Sequence, residues 1–373
     1  MLCILPGCNQ SSTQNSTIET IVFYAAKTKK YFDFASITDT SFQIIPLETT
    51  PDFLIGKIEK IDIKNNKIII FDRMSRAVYL FNMDGTNYNK IFKPGRGPGE
   101  YVEISAMGAN DSVIIIFDNV SRKLMEFDFD GTLIQETKLQ EGLWARDIFF
   151  FNDNLYFYAG WHESTLGNSR LFALDNITNQ VFKSYLPFEE KPIALGNLGP
   201  SYSLCNKKAS LIYSGCDSVF SISKEGHIAP TYAFDFKGMR AKYPSRRPEL
   251  VYEENDNDKI VNIDWISETD RYLFASIETV GSEYGFIYDK NEKDYHFYNF
   301  ARNTNLAEYF IFSAQWIIDN KIVLPESMLN LHHYSTALES GYKLEGFYSQ
   351  LIEIAENGSI EDNPVVFIFN LKD

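Results

Sequence analysis

Lys67-Ile68-Ile69-Ile70-Phe71-Asp72-Arg73-Met74-Ser75-Arg76 leads through Val78-Tyr79-Leu80-Phe81 to Asp84-Gly85-Thr86, and the same order returns 46 residues later. There, Val113-Ile114-Ile115-Ile116-Phe117-Asp118-Asn119-Val120-Ser121-Arg122 leads through Leu124-Met125-Glu126-Phe127 to Asp130-Gly131-Thr132. No gap is needed to align the two. Each copy reads as an apolar strand ending in Phe-Asp, a polar turn carrying Ser-Arg, an alternating strand, and an Asp-Gly hairpin into a further strand. An ungapped repeat of about 40–50 residues built from several short strands is the signature of a β-propeller blade. Such a unit cannot bury both faces alone, so its copies must stack around an axis.

Weaker copies follow. Asn154–Tyr158 with Arg170–Asp175 supply a third blade, and Ser218–Ile222 with Thr231–Phe236 a fourth. Tyr272–Ser276 with Gly285–Asp289 give a fifth, and Trp316–Ile318 with Lys321–Leu324 begin a sixth. Phe347, Tyr348, Leu351, Ile352 and Ala355 recur at helical spacing, with Gly358 placed as a C′ residue, so the last blade carries a helical insert. The C-terminal strand Asn363–Leu371 is expected to pair with Phe42–Leu47 in one blade, closing the ring and removing exposed sheet edges. Phe53–Ile63 reads as a second strand region. The fold class is therefore all-β: a six-bladed β-propeller over 41–373 with a short helical insert in its last blade.

Composition agrees. Aromatic residues make up 15% of the 373 residues, with Phe and Tyr in excess, which favours sheet. The net charge of -15 argues against nucleic acid as a partner, because phosphate recognition needs a clustered basic surface. No apolar run approaches the ~20 residues of a spanning helix.

The first residues have a logic of their own. Leu2-Cys3-Ile4-Leu5-Pro6-Gly7-Cys8 is a short apolar run ending in a small residue and a cysteine, and polar Asn9–Ser16 follows. This resembles the end of a bacterial lipoprotein signal, which implies lipidation of Cys8, residues 1–8 as signal remnant, and 9–40 as tether and lead-in. Cys205 and Cys216 then remain, either bridged in an oxidising periplasm or as two separate thiols.

Three further stretches carry a family resemblance. They are Ile45-Pro46-Leu47-Glu48-Thr49 before Leu54–Ile58, then Gly95-Arg96-Gly97-Pro98-Gly99-Glu100-Tyr101, and the terminal Asp362-Asn363-Pro364-Val365-Val366. Together they are similar to the six-bladed β-propeller lipoproteins of Bacteroidetes, from about Phe34 to the C-terminus. The resemblance implies a fold and a cell-envelope address, lipid-anchored in the periplasm or at the outer membrane, and brings no catalytic residues.

The glycine-rich string is not a phosphate loop, since Glu-Tyr and a strand follow where Lys-Ser/Thr and a helix are required. Its register makes it the connection from blade one to blade two. In a propeller, connections between blades and turns between the second and third strands open on one face. Arg96, Arg146, Arg240, Arg246, Arg247 and Arg302 fall in the former; Arg73, Arg76 and Arg122 fall in the latter, with Arg170 at the end of a long one. Arginine suits bidentate carboxylate or phosphate recognition. Trp144, Trp161 and His162 map to the same face and offer rings for stacking on a sugar. Arg73, Arg96, Glu100, Tyr101, Arg122, Trp144, Arg146, Trp161 and His162 are thus the candidate ligand-binding residues, for an anionic glycan or an acidic segment of another envelope protein. The competing reading pairs these arginines with Asp72, Asp118, Glu100, Glu163 and Glu249.

Asp72 and Asp118 are read as turn caps rather than calcium ligands, and the adjacent His332-His333 as a solvated loop. No catalytic residue, metal site or cofactor is expected, and the chain is expected to be a monomer. The alternative function is a propeller enzyme, a carbohydrate lyase or a lactone or glycoside hydrolase, acting at the channel mouth.

Overall fold

The repeated unit folds as two adjacent four-stranded antiparallel sheets, and four more sheets complete a ring of six. The computed structural model describes residues 18–29, 32–175, 177–189, 199–205, 208–242, 255–299, 316–337 and 347–372. Two strands, β1 (Glu19–Val22) and β2 (Thr38–Pro46), precede the first complete blade. Blade 1 is β3 (Ile58–Lys64), β4 (Lys67–Asp72), β5 (Ala77–Asn82) and β6 (Asn87–Ile91). Blade 2 is β7 (Ala106–Ala109), β8 (Ile114–Asp118), β9 (Lys123–Phe127) and β10 (Leu133–Lys138). Blade 3 is β11 (Asp147–Phe151), β12 (Asn154–Tyr158), β13 (Ser169–Asp175) and β14 (Val181–Pro187). Blade 4 is β15 (Tyr202–Cys205), β16 (Lys208–Leu211), β17 (Ser218–Ile222) and β18 (Ile228–Asp235). Blade 5 is β19 (Ile260–Glu268), β20 (Tyr272–Thr279), β21 (Glu283–Asp289) and β22 (Asp294–Asn299). Blade 6 joins β23 (Trp316–Ile318), β24 (Lys321–Glu326) and β25 (Val365–Leu371) to β2 as its outermost strand.

The second strand of each repeat copy is apolar throughout because neighbouring blades cover both its faces. Ile68, Ile69 and Ile70 are fully buried, as are Ile114 and Ile116. Each seam between blades is one apolar cluster. Between blades 1 and 2 it joins Ile69, Phe71 and Leu80 to Met107, Ile116 and Phe127; between blades 6 and 1 it joins Val366 and Ile368 to Ile68, Ile70 and Tyr79. The Asp-Gly hairpins work as expected at glycine: Gly85 and Gly131 hold φ of 87° and 71°. Gly85 is further required because a Cβ there would fall 2.1 Å from Pro46 O, where blade 1 meets blade 6.

Ring closure pairs β2 with β25 antiparallel, Phe42 opposite Phe369 and Ile45 opposite Val366, as the sequence predicts. Two of the three stretches that carry the family resemblance, 45–58 and 362–366, prove to be the clasp of this closure. The buried Asn363 side chain accepts from Ile55 N at 2.9 Å and donates to Glu48 O at 2.9 Å and Phe53 O at 2.6 Å. Leu47 N also donates to Pro364 O at 3.2 Å. Residues 53–57 therefore form a connection held by Asn363, and the strand begins only at Ile58.

The lead-in differs from a tether. β1 adds to the outer edge of blade 4, parallel to β18, and Lys29 bridges to Tyr298 on blade 5. Phe23 is fully buried against Tyr284 and Phe297, its ring centre 5.1 and 4.8 Å from theirs. Phe34 packs edge-on against Phe369 at 4.8 Å. Residues 19–29 and 32–36 thus lie as a belt over blades 4 to 6, fastened by aromatic rings.

Two helices, α1 (Met328–Ala337) and α2 (Phe347–Asn357), lie between β24 and β25. α2 buries Phe347, Leu351 and Ala355 on blade 6, as its periodicity predicts. Gly358 does not adopt a left-handed turn, and the Met328 methyl packs over it where a Cβ would stand. His332 and His333 sit in α1 and not in a loop, with His332 Nε2 sharing a hydrogen bond with Gly358 O.

The clasp makes a direct prediction. Asn363→Ala strands three part-buried backbone groups and should cost about 2–3 kcal/mol, read as a lower urea unfolding midpoint. Asn370→Ala, which removes only an exposed bond to Ser41, should cost under about 0.5 kcal/mol. Equal responses of the two variants would refute the clasp.

Candidate functional site

The first strand of every blade lines the axis, and in β3 the alternation Lys60-x-Asp62-x-Lys64 turns charge toward it. Lys60 reaches across the channel. Its Nζ donates to Met107 O at 2.7 Å, Asp147 Oδ1 at 2.8 Å, Ile148 O at 3.0 Å and Tyr202 OH at 2.5 Å. One side chain of blade 1 thereby ties blades 2, 3 and 4. Burial, the largest influence, drives its ammonium toward neutrality, but the Asp147 carboxylate and the Tyr202 hydroxyl outweigh it and the net shift is upward. Burial, followed by Asp147, pushes the Tyr202 phenol up. Lys60 therefore stays an ammonium and Tyr202 a neutral phenol, a fixed tie with no proton to exchange near neutral pH. The surrounding cavity holds about 170 Å³.

At the opposite mouth, a cavity of about 720 Å³ includes Glu268, Asp270 and Asp319 in its lining. Glu268 is buried, bound by Lys208 at 2.6 Å, Lys290 at 3.1 Å, Tyr232 OH at 3.0 Å and the Ser210 hydroxyl. Burial raises its carboxyl, but the two lysines outweigh it and hold it below the usual range. It is a joint between blades 4 and 5. Among the described residues, no three His, Cys, Asp or Glu groups are placed to hold a metal ion.

The connections between blades and the turns after the second strands open together on the other face, here the connection face. Asp72 and Asp118 are fully buried beneath it. Asp72 Oδ1 accepts from Met74 N at 2.8 Å and Ser75 N at 3.2 Å, while Oδ2 accepts from Gly56 N at 2.7 Å. Asp118 repeats this with Val120 N, Ser121 N and Val102 N. Both carboxylates are used up as turn caps, as expected, and neither pairs with an arginine. Arg76 and Arg122, the repeated Ser-Arg arginines, hold φ of 54° and 59°.

The arginines find other partners. Arg73 donates to Glu59 and to Ser105 O, both at 3.1 Å. Arg122 lies 3.5 Å from the exposed Glu141, and Arg240 lies 3.0 Å from Asp217. Arg146 is exposed at the channel mouth. Arg246, Arg247, Glu249 and Arg302 lie outside the described residues. Arg96 stands exposed at the tip of the glycine-rich loop, with no ion pair among the described residues.

That loop is built from beneath. Glu100 accepts from Gly97 N at 2.8 Å, and a Cβ on Gly95 would fall 2.0 Å from the Glu100 carboxylate. Lys123 Nζ donates to Gly97 O at 2.6 Å and lies 3.1 Å from Glu136, which accepts from Gly99 N at 2.6 Å. Tyr101 is fully buried in the seam between blades 1 and 2, its hydroxyl donating to Arg76 O at 2.9 Å. Glu100 and Tyr101 are thus supports of the loop rather than ligand-facing groups: the carboxylate occupies the space the glycines leave.

The aromatic residues are also engaged. Trp144 stacks on His162 at 4.5 Å and 16°. Trp161 covers the guanidinium of the buried Arg170, whose central carbon lies 3.7 Å from that ring and 4.1 Å from Tyr213. Arg170 also donates to Leu186 O at 2.7 Å and Pro187 O at 3.0 Å. Trp161 is therefore engaged in this cation–π sandwich through the face that Arg170 covers. Cys205 and Cys216 are both free, which answers the bridging expectation. Cys205 ends the first strand of blade 4 and Cys216 follows the second, so the two lie toward opposite faces of the disc. The Cys205 thiol sits 3.2 Å from Asp270, and burial, then that contact, push it up to about 11. Cys8 lies outside the described residues.

Residues 19–370 match the family described as domain of unknown function DUF4934, and the chain belongs to it. The fold is similar to that of a candidate exported protein from Bacteroides fragilis, at 19% identity over 96% of this chain and 100% of that one, with a TM-score of 0.73. It is also similar to a DUF4221 family member from Bacteroides vulgatus, at 13% identity over 90% of this chain and 97% of that one, with a TM-score of 0.51. No curated protein matches the chain.

The seam residue Tyr101 gives a pH prediction. Burial pushes its phenol up to about 12, against about 10 in an unfolded chain. As pH rises the unfolded chain loses this proton first, so the stability it contributes is intact below about pH 10 and is lost progressively toward pH 12. Tyr101→Phe should be about 1 kcal/mol less stable than the parent at pH 8. The gap should close near pH 11, at about 1.4 kcal/mol per pH unit. Urea midpoints at both pH values check this; a constant gap would mean that the hydroxyl titrates as it does in water.

Proposed function

We propose that this DUF4934 member is a cell-envelope lipoprotein, acylated at Cys8, that uses its connection face as a binding or scaffold surface for an anionic ligand. The observation that carries the reading is a contrast of charge. A chain of net charge -15 gathers Arg73, Arg76, Arg96, Arg122, Arg146 and Arg240 on one face. Arg96 is exposed there without a carboxylate partner among the described residues, on a loop whose backbone is held by Glu100, Lys123 and Glu136. A cation presented on a rigid loop loses little conformational entropy when an anion binds. The axis, by contrast, is occupied by the Lys60 tie, which favours recognition on the surface over chemistry in the channel. The exported description of the Bacteroides fragilis neighbour and the Cys8 pattern both support an address in the envelope.

Two measurements test the reading. Arg76→Ala/Arg96→Ala should weaken binding of anionic oligosaccharides or acidic peptides about tenfold while leaving the thermal unfolding temperature unchanged. Affinities that ignore both the arginines and added salt would sink it. In a Bacteroides host, Cys8→Ala should move the protein from the membrane pellet to the soluble fraction and abolish incorporation of labelled palmitate.

A further inference from the structure

The tips of the repeated turns carry a feature that the arginines do not account for. Met74 and Val120 occupy the same place in their two copies, between the buried aspartate and the Ser-Arg pair. Met74 is 72% exposed and Val120 55%, and Leu54, on the connection next to Met74, is 52% exposed. They are linked across the seam. Arg76 Nη1 donates to Val102 O at 3.4 Å, and Val102 N donates to the same Asp118 that caps Val120. Arg73 reaches Ser105 O, and the Ser105 hydroxyl accepts from Asn119 N, beside Val120. The result is one ridge over blades 1 and 2, aliphatic at its crests and cationic along its flank.

We propose that this ridge docks an acidic, amphipathic polypeptide segment of a partner protein. The inference rests on the connection face being the binding face, and it chooses between the two anionic ligand classes.

Charge complementarity selects the sign of the partner. Among the described residues Arg76 and Arg96 have no ion pair, and Asp72 and Asp118 are buried and bound by backbone amides. Glu59 is held by Arg73. Arg76 and Arg96 thus stand exposed along the flank as cations, which favours an acidic partner there. The crests select the chemistry. A sugar ring stacks on an open aromatic face, yet Trp144 is covered by His162 and Trp161 by Arg170. The crests themselves are a flexible thioether and two aliphatic side chains, and Met and Arg are enriched where proteins meet proteins. The crests are held in place from below by the two capping carboxylates, so little ordering remains when a partner lands.

The test uses the full chain and three labelled probes read by fluorescence anisotropy at low salt. They are a twelve-residue peptide alternating Glu and Leu, an all-Glu peptide of the same length, and an oligogalacturonate of similar charge. The Glu-Leu peptide should bind about tenfold tighter than the all-Glu peptide, the gain expected from burying one or two aliphatic side chains. Met74→Ser/Val120→Ser should erase that difference without moving the thermal unfolding temperature. Arg76→Ala/Arg96→Ala should weaken both peptides alike. Oligogalacturonate binding that exceeds both peptides and ignores Met74 and Val120 would overturn the inference and leave the anion-binding reading standing. Equal affinity for the two peptides would also overturn it. No salt-sensitive binding of any probe would overturn both.

Discussion

Pairing of β2 with β25 is the constraint on which the rest depends. Each blade buries its faces only against its neighbours, so an open arc of blades would leave one wide apolar sheet face exposed at each end. The seam between blades 6 and 1 exists because an N-terminal strand completes a blade otherwise made from the C-terminus. Asn363, Pro364 and Gly85 hold the joint with hydrogen bonds and close backbone approach rather than with side-chain bulk. The belt from Glu19 to Phe34 extends the same device around the outside, over seams that β2 does not reach.

Inside the ring, Lys60 does for the axis what the clasp does for the rim. A propeller channel lined by six strand edges has room for water, and here a single ammonium joins four blades across it. A buried ion pair is weak evidence for stability as such, since desolvation offsets much of its attraction. Its value here is geometric: the four partners of one Nζ fix how blades 1 to 4 are rotated about the axis. That rotation sets the spacing of the turns above, where Arg73, Arg76, Arg96 and the two aliphatic crests stand.

The architecture was legible because it is written as a period. The 46-residue repeat, the Asp-Gly hairpins and the apolar second strands placed blades 1 and 2 without reference to anything distant, and the strands of later blades followed with weaker patterns. Within the lead-in, Ile21-Val22-Phe23-Tyr24 is too short to declare its type or partner from sequence; only the edge of β18, more than 200 residues away, makes Glu19–Val22 a strand. The site was legible in topology but not in occupancy. Spacing assigned the arginines to one face, but could not tell that Glu100 would sit under the glycines, that Tyr101 would fill a seam, or that Trp161 would lie on Arg170. Those are contacts across blades, and periodicity carries no information about them. Lys60 did leave a trace, the alternation of charge through Asp62 and Lys64, but a bulge between Ile58 and Lys60 obscures which side chains turn inward. Likewise, Cys205 and Cys216 are near in sequence and parted by the direction of a single strand.

The belt and clasp also order events in time. On the ribosome β2 emerges among the first strands, and its partner β25 is the last, so five blades must wait for the final residues before the ring can shut. Pairings that span the whole chain are slow to form. Throughout that wait β2, with Phe42, Ile44 and Ile45 along it, lacks the neighbour that β25 supplies, and a bare strand of this kind pairs with other chains. The covering of that one strand sets the length of the interval in which a newly made chain is open to aggregation.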